Sequence, residues 1–313
     1  MFRSLRTLAL VAVLAAGAAF AQTTVIGVSI PAATHGWTGG VNWWADQAKQ
    51  RLEATYPNLQ IVINTAGSAA EQADDIEDLI AINDIDALVI LPFESDPLTE
   101  PVASVKERGI FVTVVDRGLS REGIEDVYVA GNNAAMGRVS AEYIIERLGG
   151  QGKIVVLRGI PTTIDNERFD AFMELVSQTG IEVLDSQYAN WNRDDGFEVM
   201  QDFLTRFPEI DAVWAQDDDI TLGVIEALRQ AGREDEMFVV GGAGMKEIIK
   251  GVMDGDPLVP VDVLYPPAMI ATAMEVTALR FVSDVPVLGR YILDSPLITQ
   301  ENAADYYFPD SPF

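Results

Sequence analysis

The sequence predicts an α/β fold in which parallel sheets carry helices on both faces, and three observations support it. Short apolar strands alternate with segments of helical spacing along nearly the whole chain. The run Ala87-Leu88-Val89-Ile90-Leu91 is apolar without interruption, as a strand buried on both faces of a parallel sheet must be. The chain has 313 residues, 49% of them hydrophobic and 22% charged, which is a globular composition too large for one doubly wound sheet. Two Rossmann-like lobes suit it, joined by crossing segments, since no low-complexity linker separates them.

In order, Val25–Ile30 is a strand, and Val41, Trp44, Ala45, Ala48 and Leu52 follow at helical spacing. Leu59–Ile63 alternates as a strand and residues 69–83 form a helix. After the strand at 87–91, Pro97–Arg108 is a helix ended by Gly109, and Ile110–Val115 is a strand. A helix over Asn132–Leu148 presents Met136, Val139, Tyr143 and Ile144 on one face. The alternation continues with strands at 153–157, 181–187, 212–215, 237–240 and 259–263. The intervening helices cover 164–179, 193–206, 220–231 (capped by Gly232), 245–253 and 268–282.

Residues 1–21 read as an address. Arg3 and Arg6 precede an apolar run from Leu8, and Ala19-Phe20-Ala21 is a small-x-small site. This is the pattern of a secretory signal peptide cleaved after Ala21, and it is short for a membrane span. No cysteine is present, which excludes disulfides, thiolate metal sites, cysteine nucleophiles and a lipid anchor at the cleavage site. A single histidine excludes His-rich metal centres. With 21 Lys+Arg against 48 Asp+Glu, the net charge of −27 repels nucleic acid and anionic membranes.

In open parallel sheets, ligands bind beyond the carboxyl ends of the strands. Those ends carry His35 and Trp37 after the first strand, Asp116 and Arg117 after the strand at 110–115, and Arg168 beyond the 153–157 strand. They also carry Trp191 between Asn190 and Asn192, Asp217 in the run Asp217-Asp218-Asp219, and Tyr265. Aromatic faces, carboxylates, amides and guanidiniums together suit a neutral polyhydroxy ligand, whose C–H faces stack and whose hydroxyls both donate and accept. Asp217 is assigned to the pocket, and Asp218 or Asp219 to capping the next helix. Trp214, inside a strand, is read as core. The acid run lacks the glycine and closing glutamate of a calcium loop. Gly241-Gly242-Ala243-Gly244 lacks the Lys-Ser/Thr ending of a phosphate loop, so its glycines are read as a tight turn. No nucleophile elbow, H-E-x-x-H or second histidine supports catalysis, and no catalytic residue, metal or cofactor is assigned.

The order of several segments resembles the type I periplasmic sugar-binding proteins of ABC importers, in their ribose- and galactose-binding branch. The segments are Thr113–Arg117, Ala130–Gly137, Glu167–Phe172, Val199–Leu204 and Ala215–Gly223, within a likeness that runs from Val25 to about Leu293. The resemblance implies two lobes joined by three crossings, near Ala130, Leu264 and Ile292, that close on a monosaccharide. It implies a first lobe of residues 22–130 plus 265–291 and a second of 131–264 plus 292–313. By position, Trp37 and Trp191 match aromatic sandwich residues, Asp116 and Arg117 the pair that binds ring hydroxyls, and Arg168 a pocket arginine. Asp217 matches a pocket amide or acid, and Tyr265 a polar contact near a crossing. Ala243 stands where ribose-type members commonly have an aspartate, and Ala33–Trp37 replaces an Asn-Pro-Phe type loop. These departures leave pentose, hexose and polyol open.

The function expected is therefore that of a periplasmic, monomeric solute-binding protein that delivers its ligand to an ABC permease. A secreted sugar-acting enzyme, or a sugar-presenting partner of a chemoreceptor or sensor kinase, is the alternative. A repressor core of the same fold is opposed by the leader, the absent DNA-binding headpiece and the charge.

Overall fold

The computed structural model describes residues 23–33, 35–283 and 285–313; the leader and its cleavage site lie outside them. Six strands form the first sheet: β1 (Thr24–Pro31), β2 (Leu59–Ala66), β3 (Ala87–Ile90), β4 (Phe111–Val115), β5 (Val127–Gly131) and β11 (Gly289–Leu293). Their order is β11-β5-β4-β3-β1-β2, and every pairing is parallel. Four strands form the second sheet: β6 (Gln151–Arg158), β7 (Gly180–Tyr188), β8 (Ala212–Ala215) and β9 (Phe238–Val240). They run in the order β7-β6-β8-β9, also parallel. A short antiparallel pair, β10 (Asp262–Val263) with β12 (Leu297–Ile298), lies beside the second sheet, which it joins through a Val240–Val261 bridge.

Strand alternation sorts the first lobe's core into two layers. Leu88, Ile90, Val112 and Val114 pack with Ile76 and Leu79 of α2 (Ala69–Asn83) and with Leu98 and Val102 of α3 (Ser95–Glu107). On the other face, Ile26, Val28 and Val89 meet Val41, Ala45 and Ala48 of α1 (Gly36–Thr55) and Met274 of α9 (Met269–Val282). The second lobe carries α4 (Asn133–Leu148), α5 (Thr163–Val176), α6 (Arg193–Arg206), α7 (Asp218–Ala231) and α8 (Lys246–Asp254). Trp214 is core as expected, fully buried and stacked on Phe172 of α5 with centroids 4.0 Å apart.

Helix α3 starts at Ser95, ahead of the expected Pro97. Proline is tolerated there because first-turn N–H groups have no intrahelical partner. Strands β5 and β11 were not expected as strands. They close the first sheet at the points where the chain leaves it: β5 leads to α4 and β11 to β12. The two exits are tied together, with Asn132 N–H donating to the Leu293 carbonyl at 2.9 Å. The third passage runs from β10 to α9 through Tyr265. First-sheet pairing extends to Gly131 and Leu293.

Candidate functional site

The carboxyl ends of both sheets bring a polar and aromatic cluster together. Asp116 ends β4 with φ +58°, a left-handed backbone that a non-glycine residue holds only at a cost. Tyr128 Oη donates to the Asp116 carbonyl at 2.6 Å, and Tyr265 Oη donates to the Asp116 carboxylate. Arg117, next in the chain, is half-buried and donates to the Phe93 carbonyl. Phe93 is itself fixed by Gln72, which accepts from its N–H at 2.7 Å and donates to the Leu91 carbonyl at 3.0 Å.

His35 precedes α1, and its N–H donates to Thr38 Oγ1 at 3.2 Å. Burial, then the Arg117 charge, pushes the imidazole down to about 4, so it is neutral at pH 7. Its Nδ1 is buried with no protein partner among the described residues. Trp37 lies in the first turn of α1 and its Nε1 donates to the Tyr265 carbonyl at 3.0 Å. Its ring is 6.2 Å from the Tyr265 ring.

Arg168 reaches the same place from the second lobe. It is buried on α5, with Nε donating to Asn133 Oδ1 and Nη1 to the Gln216 carbonyl, both at 2.9 Å. Its guanidinium lies 4.3 Å from the Tyr265 ring centroid and 5.1 Å from that of Trp191. Asn190 and Trp191 both hold positive φ, and the Trp191 ring lies flush on Gly159, where a Cβ would come within 1.9 Å of it. Tyr265 is packed the same way against Gly131, with 2.2 Å to a hypothetical Cβ. Tyr265 thus links Asp116 of the first lobe to Arg168 of the second.

The acid run is arranged differently from expectation. Helix α7 begins at Asp218, so Asp217 occupies the extended position before it and is the cap: its Oδ1 accepts from Asp219 N–H at 2.8 Å and Ile220 N–H at 3.2 Å. Asp217 remains beside Arg168, and burial, then the Asp219 charge, pushes its carboxyl up to about 7. Neither Asp218 nor Asp219 caps. Asp219 Oδ2 accepts from Gly36 N–H at 3.1 Å, joining α7 to the start of α1. Asp218 is fully buried and accepts from Gly242, Gly244 and Met245 N–H at 3.0, 3.0 and 2.8 Å. The Gly241–Gly244 turn therefore does hold an acidic group, this chain's own Asp218 carboxyl, which burial and then the Asp262 charge push well up. Asp262 shares the Gly244 N–H at 3.0 Å and hydrogen-bonds Asp218; burial pushes it up to about 7.

Ala243 adopts φ +124°, and its carbonyl accepts from Tyr265 N–H at 3.2 Å. It lines a small space of about 30 Å³ beside Trp44, Leu264 and Phe313, so its backbone rather than its methyl is tied to the cluster. Asn192, read with Trp191 as part of a wet cleft, caps α6 by accepting from Asp194 and Asp195 N–H. A larger cavity of about 300 Å³ opens at the other end of the first sheet, lined by Lys106, Phe111, Asp126 and Arg280. Lys106 and Asp126 pair with each other there, and none of the cluster residues reaches it.

Residue selection from the sequence missed Asn133 and Gln216. Gln216 directly follows β8 and is fully buried, and the strand-end rule reaches it; Asn133, inside a helix start, carries no signal of its own. Among the described residues, no group of three or more acids or histidines is placed to hold a metal ion, and no helix is long and apolar enough to cross a membrane.

Two parallel-sheet lobes, three passages between them and a cluster drawn from the carboxyl ends of both define a type I periplasmic binding fold. The chain belongs to the periplasmic binding protein domain family, whose model matches residues 26–279. It is 30% identical to the ribose import binding protein of Escherichia coli K12 over 82% of this chain and 85% of that one. It is 33% identical to the xylitol-binding protein of Mycolicibacterium smegmatis, over 64% of this chain and 57% of that one. An ABC transporter solute-binding protein from Mycobacterium smegmatis, solved with bound glycerol, superimposes with a TM-score of 0.80 at 26% identity, covering 92% of this chain and 98% of that one.

Proposed function

We propose that the protein captures a monosaccharide (pentose or hexose) or a polyol between its two lobes and delivers it to an ABC importer. The observation that carries this is the chain of contacts Asp116–Tyr265–Arg168, flanked by Trp37 and Trp191. It draws hydroxyl-binding and stacking groups from both lobes to one place. The relatives named for ribose and xylitol, and the glycerol-bound structure, share its chemistry of neutral, hydroxyl-rich ligands. In this reading the chain is exported after cleavage at Ala21, works as a periplasmic monomer and catalyses nothing. His35, Trp37, Asp116, Arg117, Arg168, Trp191, Asp217 and Tyr265 contact the ligand, with Ala243 shaping the wall behind Tyr265. The lobes comprise 22–130 plus 265–291 and 131–264 plus 292–313, and contacts made only when they meet drive closure.

A thermal-shift screen over pentoses, hexoses and polyols tests the reading. A ligand at 100 times its Kd stabilises the folded state by about 2.7 kcal/mol, which for a chain of this size raises Tm by roughly 4 °C. Arg168→Ala is expected to abolish most of that shift, and to remove the ligand-induced fall in radius of gyration seen by small-angle scattering. No shift with any of these ligands, or an Arg168→Ala variant that binds and contracts normally, contradicts the reading.

A further inference from the structure

The side chain of Gln216 is fully buried, and neither its Oε1 nor its Nε2 has a protein partner among the described residues. Buried amides are nearly always satisfied, and leaving both ends of one unpaired opposes folding. Its location explains the exception. Along β8 and its extension, Trp214 and Gln216 point to the same face by strand alternation. Trp214 stacks on Phe172 of α5. Arg168 lies one turn before Phe172 on that helix, and donates to the Gln216 backbone carbonyl. The Gln216 amide therefore sits one layer above the core, at the level of Arg168.

The nearest polar atoms with named partners are turned to other groups and do not reach the amide. Arg168 Nε is held by Asn133, Asn133 Oδ1 by Arg168, and Asp217 Oδ1 by two amides of α7. The amide offers one acceptor and two donors side by side, which is the complement of two neighbouring hydroxyls, one donating and one accepting.

We propose that Gln216 is a further ligand-binding residue that recognises a vicinal diol of the captured sugar or polyol. This rests on the ligand class proposed above. A carboxylate or ammonium ligand does not answer an amide that needs both a donor and an acceptor. The residue thereby favours neutral polyhydroxy compounds over charged ones of the same size, and disfavours deoxy analogues lacking one hydroxyl of the pair.

Gln216→Met keeps the unbranched shape and removes both polar atoms. Binding of ribose, allose and xylitol is measured by titration calorimetry on the wild type and the variant, together with Tm in the absence of sugar. The expected result is a Kd raised about 10- to 100-fold for whichever of these the wild type binds, since a ligand hydroxyl is left unpaired. The sugar-free Tm is expected to be equal or higher, because the orphaned amide is gone. Those two opposite movements distinguish a ligand contact from a structural residue. A variant with wild-type Kd, a lowered sugar-free Tm or a failure to fold overturns the proposal while leaving the function intact. A wild type that binds no sugar or polyol overturns the functional reading, and this assignment with it.

Discussion

The two lobes present loops at equivalent strand ends but hold them by different chemistry. In the first lobe the clamps after β3 and β4 are neutral or cationic: Gln72 bridges Leu91 and Phe93, Tyr128 holds the Asp116 carbonyl, and Arg117 holds Phe93. In the second they are carboxyl groups. Asp165 accepts from Gly159 N–H at 3.1 Å and pairs with Arg158, Asp217 caps α7, and Asp218 with Asp262 gathers the Gly242, Gly244 and Met245 amides. A carboxylate can accept several N–H bonds at once, which suits a glycine turn with many amides pointing inward. The disadvantage is that two fully buried acids in contact cannot both ionise without repulsion, so the second lobe's clamp is linked to protons and the first lobe's is not.

The most severe way to break this contrast is Asp218→Ala, which leaves the buried Gly242 and Met245 amides without their acceptor and Gly244 with Asp262 alone. A loss of about 3–5 kcal/mol in unfolding free energy by urea titration is expected, partly offset by removing a poorly solvated acid. A loss under about 1 kcal/mol means that the turn is held by something else. Gln72→Leu acts on the first lobe's clamp by orphaning Phe93 N–H and the Leu91 carbonyl, and should cost about 2–3 kcal/mol. That loss should be equal at pH 5 and pH 8; a loss that changes with pH removes the distinction between the lobes.

The subtlest test sharpens the proton linkage. An aspartate near 3.8 when unfolded and about 7 when folded binds more protons in the native state across that interval. Its contribution is therefore present below pH 4 and is lost as pH rises toward 7. Asp262→Asn keeps an acceptor for Val263, leaves Gly244 to Asp218, and gives Asp218 a permanent donor. Plotted as variant minus wild type, stability should rise between pH 4 and pH 7, by at most about 1.4 kcal/mol per pH unit. A flat difference shows that the pair does not share a proton.

Which elements were legible in the sequence follows from the same physics. Strands such as 87–91 and helices such as 132–148 announce themselves because burial demands an apolar pattern. Strand β11 did not, because it is a sheet edge whose Arg290 and Ile292 are exposed. At the cluster, the strand-end rule reached Asp116, Arg117 and Trp191, positions just beyond the points where the backbone leaves its sheets. It misassigned the acid run because a cap is decided by where the helix begins, here Asp218 instead of Ile220, and three aspartates in a row hide that boundary. The links made by Tyr265 depend on contacts 149 residues apart in sequence, and no local pattern contains them.

The glycines beneath the two rings have a consequence for tracing kinship. Tyr265 needs Gly131, and Trp191 needs Gly159, since a single methyl at either place would occupy the volume of the ring. Each glycine and its ring therefore form one unit of inheritance, in which a larger residue on one side has to be met by a smaller one on the other. Chains that keep both pairs share the cleft's dimensions even where their polar residues have diverged. Chains that keep the acids and arginines but break a pair have a different-sized chamber behind the same charges.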